Sequence, residues 1–170
     1  MGHLAVQYAK AFGAEVIAID SGEEKERYIL SVGASHFIDF RKVQDVTAEV
    51  FRLTNGLGAH GAVVTAASPK AFAQAADMLR IGGTLCLNGI PPGRAFLETP
   101  VAAIVIKSLR IVGNLTGSLA ECMEAVDLVR RGVVRPKVEV RPFEDLAEVY
   151  EVMERGDITG RIVLKIANDE

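Results

Sequence analysis

Asp20 closes a short β-rich run, residues 15–20 (EVIAID), and lies 18 residues after Gly2, which opens a segment of helical apolar spacing. A glycine at a helix start, followed about 20 residues later by a strand-terminal acid, approximates the spacing of a dinucleotide site. Without a Cβ, Gly2 lets a pyrophosphate approach the helix N-terminus, where free amides and the helix dipole favour anions. A carboxylate at Asp20 can accept hydrogen bonds from both hydroxyls of an adenosine ribose. It also repels a 2′-phosphate, which points to NAD rather than NADP. Lys25, five residues on in a helical first turn, is placed as a second donor to the ribose. Asn88, Gly89 and Ile90 lie at one predicted strand end, and Asn114, Leu115 and Thr116 at another. Doubly wound folds bind ligands outside such ends, so both segments are candidates for nicotinamide contacts. Taken singly, each has a plainer reading: a solvated acid in a turn, an N-terminal glycine, a solvated lysine, two ordinary loops. His3 reads as a surface residue.

The elements that must position these residues alternate along the whole chain. Helical patterns cover 3–12, 23–32, 43–54, 69–80 and 118–131, with Gly13, Gly33, Asn55-Gly56 and Gly132 as stops. Pro69 suits a first helical turn, and Gly82-Gly83 reads as a turn. Strands are expected at 15–20, 36–40, 62–67, 84–88 and 109–114. The stretch 89–100 reads as loop, and 101–107 as an ambiguous apolar helix. A smaller tail unit follows: a strand at 137–140, a helix at 144–155 and a strand at 161–166. Short apolar strands separated by helices imply an α/β fold, a Rossmann-like doubly wound parallel sheet with helices on both faces. The chain opens on a helix, whereas such a fold normally opens on a strand and a glycine-rich turn. The first strand is therefore expected to be lacking. Its place would be between the EVIAID and AVVTAA strands, leaving two apolar edges without partners.

Other chemistries are excluded by type and spacing. There is no Cys or His cluster at metal-ligand spacing, no nucleophile elbow and no P-loop. Cys86 and Cys122 read as two reduced core thiols. With 19 basic against 22 acidic residues, the net charge of −3 provides no footprint for nucleic acid or an anionic membrane. No apolar run approaches the roughly 20 residues of a membrane-spanning helix. The opening residues do not resemble a secretory signal, so a cytoplasmic location is expected.

Residues 1–11 (MGHLAVQYAKA) resemble the end of the glycine turn and the next helix of zinc-type alcohol dehydrogenases, of the medium-chain dehydrogenase/reductase superfamily. The similarity is to the tetrameric yeast and bacterial branch. It continues through VIAID (16–20), VGASHFIDF (32–40), GAHGAVVTAASPKAF (58–72), LRIGGTLCLNGIPPG (79–93), IVGNLTG (111–117), EAVDLVRRGVVRP (124–136) and DITGRIVLKI (157–166). The resemblance implies that Gly2 is the final glycine of the phosphate turn, Asp20 the ribose acid and Lys25 its basic companion. It implies that Asn88–Ile90 and Asn114–Thr116 lie beside the nicotinamide, and that Arg161 lies near the pyrophosphate. It further implies a cofactor portion, 1–136, and a segment, 137–170, that returns to the catalytic domain. The edge strand near 109–114 would pair with its twin in a homo-oligomer. The implied reaction is hydride transfer from a primary alcohol to NAD, with zinc as Lewis acid on the alkoxide. The zinc ligands and proton relay would lie upstream of Met1, so this chain is expected to hold no catalytic or metal residue, to bind NAD weakly and to be inactive alone.

Two competing readings remain. An S-adenosylmethionine methyltransferase also places an acid after its second strand, but needs an antiparallel final hairpin. A non-catalytic binding module would act through protein contacts.

Overall fold

The computed structural model describes residues 1–166. β1 (Ile17–Asp20) and β2 (His36–Asp39) pair in parallel, with Ile17 opposite His36 and Asp20 opposite Asp39. Successive residues on these strands bury against opposite layers, as the two-residue strand period demands. Ala18 and Phe37 pack with Val6 of α1 (Gly2–Ala11) and Ile29 of α2 (Glu23–Ser31). Ile17 and Ile38 pack instead with Val46 and Val50 of α3 (Val46–Leu53). Helices thus cover both faces of this sheet, the expected double winding. α3 begins at Asp45, whose side chain accepts from the Ala48 amide at 3.0 Å, a cap worth about 1 kcal/mol.

A second parallel sheet has the order β3 (Ala59–Val64), β4 (Leu79–Leu87), β5 (Arg110–Gly113). Against it α4 (Pro69–Ala75) packs Phe72 and Ala75 onto Val64, Leu79 and Leu85. Leu79 and Leu85 are fully buried, each contributing roughly 1.5–3 kcal/mol by leaving water. The helix expected to run to Arg80 ends at Ala75, because Leu79 already pairs with Ala59. β4 then bulges: Thr84 pairs with Gly61, so Arg80–Gly83 stand opposite His60 alone. Gly82-Gly83 is a turn, as read, but one set inside a strand. Gly82 has a φ of 74°, and a Cβ on Gly83 would sit 2.9 Å from the Arg80 carbonyl oxygen. The strand expected at 62–67 lies at 59–64.

No hydrogen-bonded ladder joins these two sheets among the described residues. β1 and β3 each present an edge, and Val63 on β3 is 59% exposed. α5 (Val101–Ile106) leads into β5, and α6 (Leu119–Arg130) opens with a capping box between Ser118 and Glu121. Cys122 is exposed on α6, so it is not the core thiol expected. Half-buried Cys86 donates its S–H to Asn88 Oδ1 at 3.0 Å. Beyond α6, β6 (Val138–Pro142) and β7 (Arg161–Lys165) pair in parallel, joined through α7 (Leu146–Arg155). That is not the antiparallel final hairpin of a methyltransferase. Residues 167–170 of the expected tail segment lie outside the described residues. No helix among the described residues is long and apolar enough to cross a membrane.

Candidate functional site

Asp20 stands at the carboxyl end of β1 because the strand terminates there and the chain turns through Ser21 and Gly22 into α2. Its Oδ1 accepts from the Ser21 amide at 2.8 Å and from Lys25 Nζ at 3.2 Å. Both hydrogen bonds fall on the same oxygen, and Oδ2 meets no donor among the described residues. Lys25 is therefore not merely a solvated lysine. It lies in the first turn of α2 and returns to the acid five residues before it.

α1 begins at Gly2, where an added Cβ would lie 3.7 Å from Thr65 Oγ1, just past the end of β3. The first turn of α1 thus lies beside the end of β3. Arg161, the first residue of β7, brings Nη1 to 3.7 Å from Met1 Sδ. The Met1 amino group feels the same neighbourhood. Burial and then Arg161 push its pKa down, against the opposite pull of Asp20. Gly2, Asp20, Lys25 and Arg161 are therefore brought together: a helix start, an acid and two cations. Of these four only Lys25 reaches a cleft of about 250 Å³, whose wall mixes the cations Lys25, Arg41 and Arg155 with the acids Glu23, Glu24 and Asp157.

The other candidates assemble at adjacent strand ends. The amides of Asn88 and Gly89 both donate to the Val64 carbonyl, at 3.0 and 2.9 Å, and the Asn114 amide donates to the Leu87 carbonyl at 3.0 Å. A Cβ on Gly89 would run into the Ala66 carbonyl oxygen, so only glycine allows this approach. Ile90, Leu115 and Thr116 follow in exposed loop.

Three features beside these residues are not among the sequence expectations. His3 is buried, 6% exposed, rather than at the surface, and its Nε2 has no hydrogen-bond partner among the described residues. Gln7 ties α1 to the connection before β6: its Nε2 donates to the Arg135 carbonyl at 3.0 Å and its Oε1 accepts from the Arg135 amide at 2.7 Å. Asp39, at the end of β2, accepts from the Gly22 amide at 3.2 Å. For Asp39 a signal existed: both strands end on Ile-Asp, at 19–20 and 38–39.

No group of three or more His, Cys, Asp or Glu side chains converges as a metal site among the described residues.

Residues 1–131 match a family model described as zinc-binding dehydrogenase. The chain is 42% identical over 167 residues to an alcohol dehydrogenase of Schizosaccharomyces pombe, covering 98% of this chain and 47% of that protein. It is 40% identical to alcohol dehydrogenase 1 of Emericella nidulans over the same shares. Its structure superposes on the alcohol dehydrogenase of the archaeon Aeropyrum pernix with a TM-score of 0.90 and 31% identity, over 97% of this chain and 47% of that one. The chain spans about half the length of the curated relatives it matches.

Proposed function

Since the chain belongs to the zinc-binding dehydrogenase family, we propose that it forms the NAD-binding part of an enzyme moving hydride between a primary alcohol or aldehyde and NAD. The observation that carries the reading is Asp20, with Oδ1 engaged by Ser21 and Lys25 and Oδ2 left over, beside the open start of α1. Oδ2 is the acceptor for a ribose hydroxyl, Lys25 a donor beside it, and the α1 amides with Arg161 the counter-charge for the pyrophosphate. The negative charge at Asp20 disfavours a 2′-phosphate. Asn88–Ile90 and Asn114–Thr116 offer backbone at the sheet end to orient the nicotinamide, which accepts or returns hydride when bound.

The described residues do not supply a zinc site. In this reading residues 1–136 serve the nucleotide and 137–170 complete the catalytic half of the longer enzyme, a cytoplasmic homo-oligomer. The parallel pairing of β6 and β7 weighs against the methyltransferase alternative.

Ligand-observed NMR, which registers millimolar binding, tests the reading. Wild type should bind NAD in preference to NADP. Asp20→Asn should weaken NAD binding by about tenfold or more, as expected for losing a charged hydrogen bond of roughly 1.5–3 kcal/mol, and should narrow the preference. Equal NAD affinity in the two proteins, or a wild-type preference for NADP, overturns it.

A further inference from the structure

Asp39 ends β2 at the level where Asp20 ends β1. Its side chain is 8% exposed, and both its oxygens are committed to backbone. Oδ1 accepts from the Arg41 amide at 2.9 Å, within its own turn, and Oδ2 from the Gly22 amide at 3.2 Å, across in the turn that follows Asp20. The first bond is what any strand-end acid makes. The second fastens one turn to the next. The Arg41 amide, followed by that of Gly22 and by Lys42, holds the carboxyl below the ordinary aspartate range against the opposing effect of burial. Asp39 is thus ionised at neutral pH and its bonds are charge-assisted.

Gly22 is the residue such a tie would serve. It lies two positions past Asp20, has a φ of 98° and caps α2, the helix that carries Lys25. Glycine populates that region but is not confined to it, so the turn needs an external contact to stay in one conformation. The Ser21 amide is already spent on Asp20 itself. The Phe40 amide holds the start of the turn by donating to the Asp20 carbonyl at 3.1 Å, and the Gly22 amide, through Asp39, anchors its far side.

We propose that Asp39 is a positioning residue for the nucleotide, fastening the Ser21–Gly22 turn so that Asp20 and Lys25 hold the arrangement that receives the ribose. This rests on the reading of Asp20 as the ribose acceptor. Asp39 is not the acceptor for the sugar, because its side chain is almost wholly buried and faces backbone amides. It acts by keeping the competent turn populated, and a turn populated a fraction of the time lowers apparent affinity by that fraction.

Wild type, Asp39→Ala, Asp39→Asn and Asp20→Asn are compared by amide NMR, first for hydrogen exchange at Gly22 without nucleotide and then by titration with NAD. Asp39→Ala is expected to speed Gly22 exchange and to weaken NAD binding by about tenfold for a turn populated about one-tenth of the time, with the β1–β2 ladder amides unchanged. Asp39→Asn keeps one carbonyl acceptor and should fall between. If Asp39→Ala does not fold, Asp39→Asn decides by the same two readouts. If Asp20→Asn weakens binding but the Asp39 variants bind NAD as wild type does, the positioning role is overturned while the Asp20 reading stands. If Asp20→Asn binds as wild type does, the Asp20 reading fails and the positioning role falls with it. A purely structural role would speed exchange along all of β2, lower the melting temperature and leave NAD affinity untouched, which also overturns the proposal.

Discussion

At the scale of single residues, His3 shows how burial changes a side chain that looks unremarkable in sequence. It sits at the second position of α1, with its ring 5.9 Å from that of Tyr28, tilted by 50°. Burial first, then the Met1 amino group, Arg161 and Lys137, all push its pKa below the ordinary histidine value. The neutral ring is the form that fits. An unfolded chain takes up the proton near pH 6.5, whereas the folded chain does so only at lower pH. Stability from the neutral ring is therefore complete above the unfolded pKa and is lost as pH falls through that value toward the folded one. Melting temperatures measured from pH 8 to 5.5 should fall more steeply for wild type than for His3→Gln. Parallel curves would show that the imidazole is not the group responsible.

At the scale of elements, β5 combines an open edge with apolar content. It pairs with β4 through Thr84–Leu87, all four of its residues are exposed, and Ile111 and Val112 are among them. An apolar parallel edge of this kind invites another strand. Two-fold pairing of β5 with its copy would satisfy the free backbone groups of both. Light scattering across a concentration series should show a dimer, and Val112→Lys, which sets a charge on that edge, should shift it to monomer. A wild type that is monomeric at every concentration contradicts the pairing. The capping box at Ser118 could be read directly, since Ser-x-x-Glu is a local signal. The end of α4 could not. Its apolar spacing continues past Ala75, and the helix stops because β3 captures Leu79.

At the scale of the molecule, the sheets divide between two sets of neighbours. Met78 and Ala59 pack beside Ile38 and Val50, so side chains connect the β1–β2 and β3–β4–β5 sheets although no ladder does among the described residues. The tail unit is held from another direction: Lys137 Nζ lies 3.2 Å from Glu24 Oε1 and 5.1 Å above the Tyr28 ring, and the Arg161 amide donates to the Lys137 carbonyl. These contacts carry Arg161 to the end of the molecule where α1 starts. They do not bring together a metal-ligand set among the described residues. A polypeptide of these 170 residues alone, given ethanol, NAD and zinc, should show no turnover above background. Measurable NADH production by the purified chain would overturn the assignment of this portion to nucleotide binding alone.

What could be settled from sequence was whatever depends on neighbours along the chain. The order of strands and helices follows from apolar period and glycine stops. The Gly2–Asp20–Lys25 constellation follows because a helix, a turn and a strand of those lengths return the chain to one end of the sheet. Tertiary structure alone decided which distant groups meet. Asp39 holds Gly22, Gln7 holds Arg135 across 128 positions of sequence, and His3 is sealed under Tyr28. Each is a side chain satisfied, or left unsatisfied, by an element whose approach no local pattern encodes, because buried polar groups take their partners from whichever backbone the packing delivers.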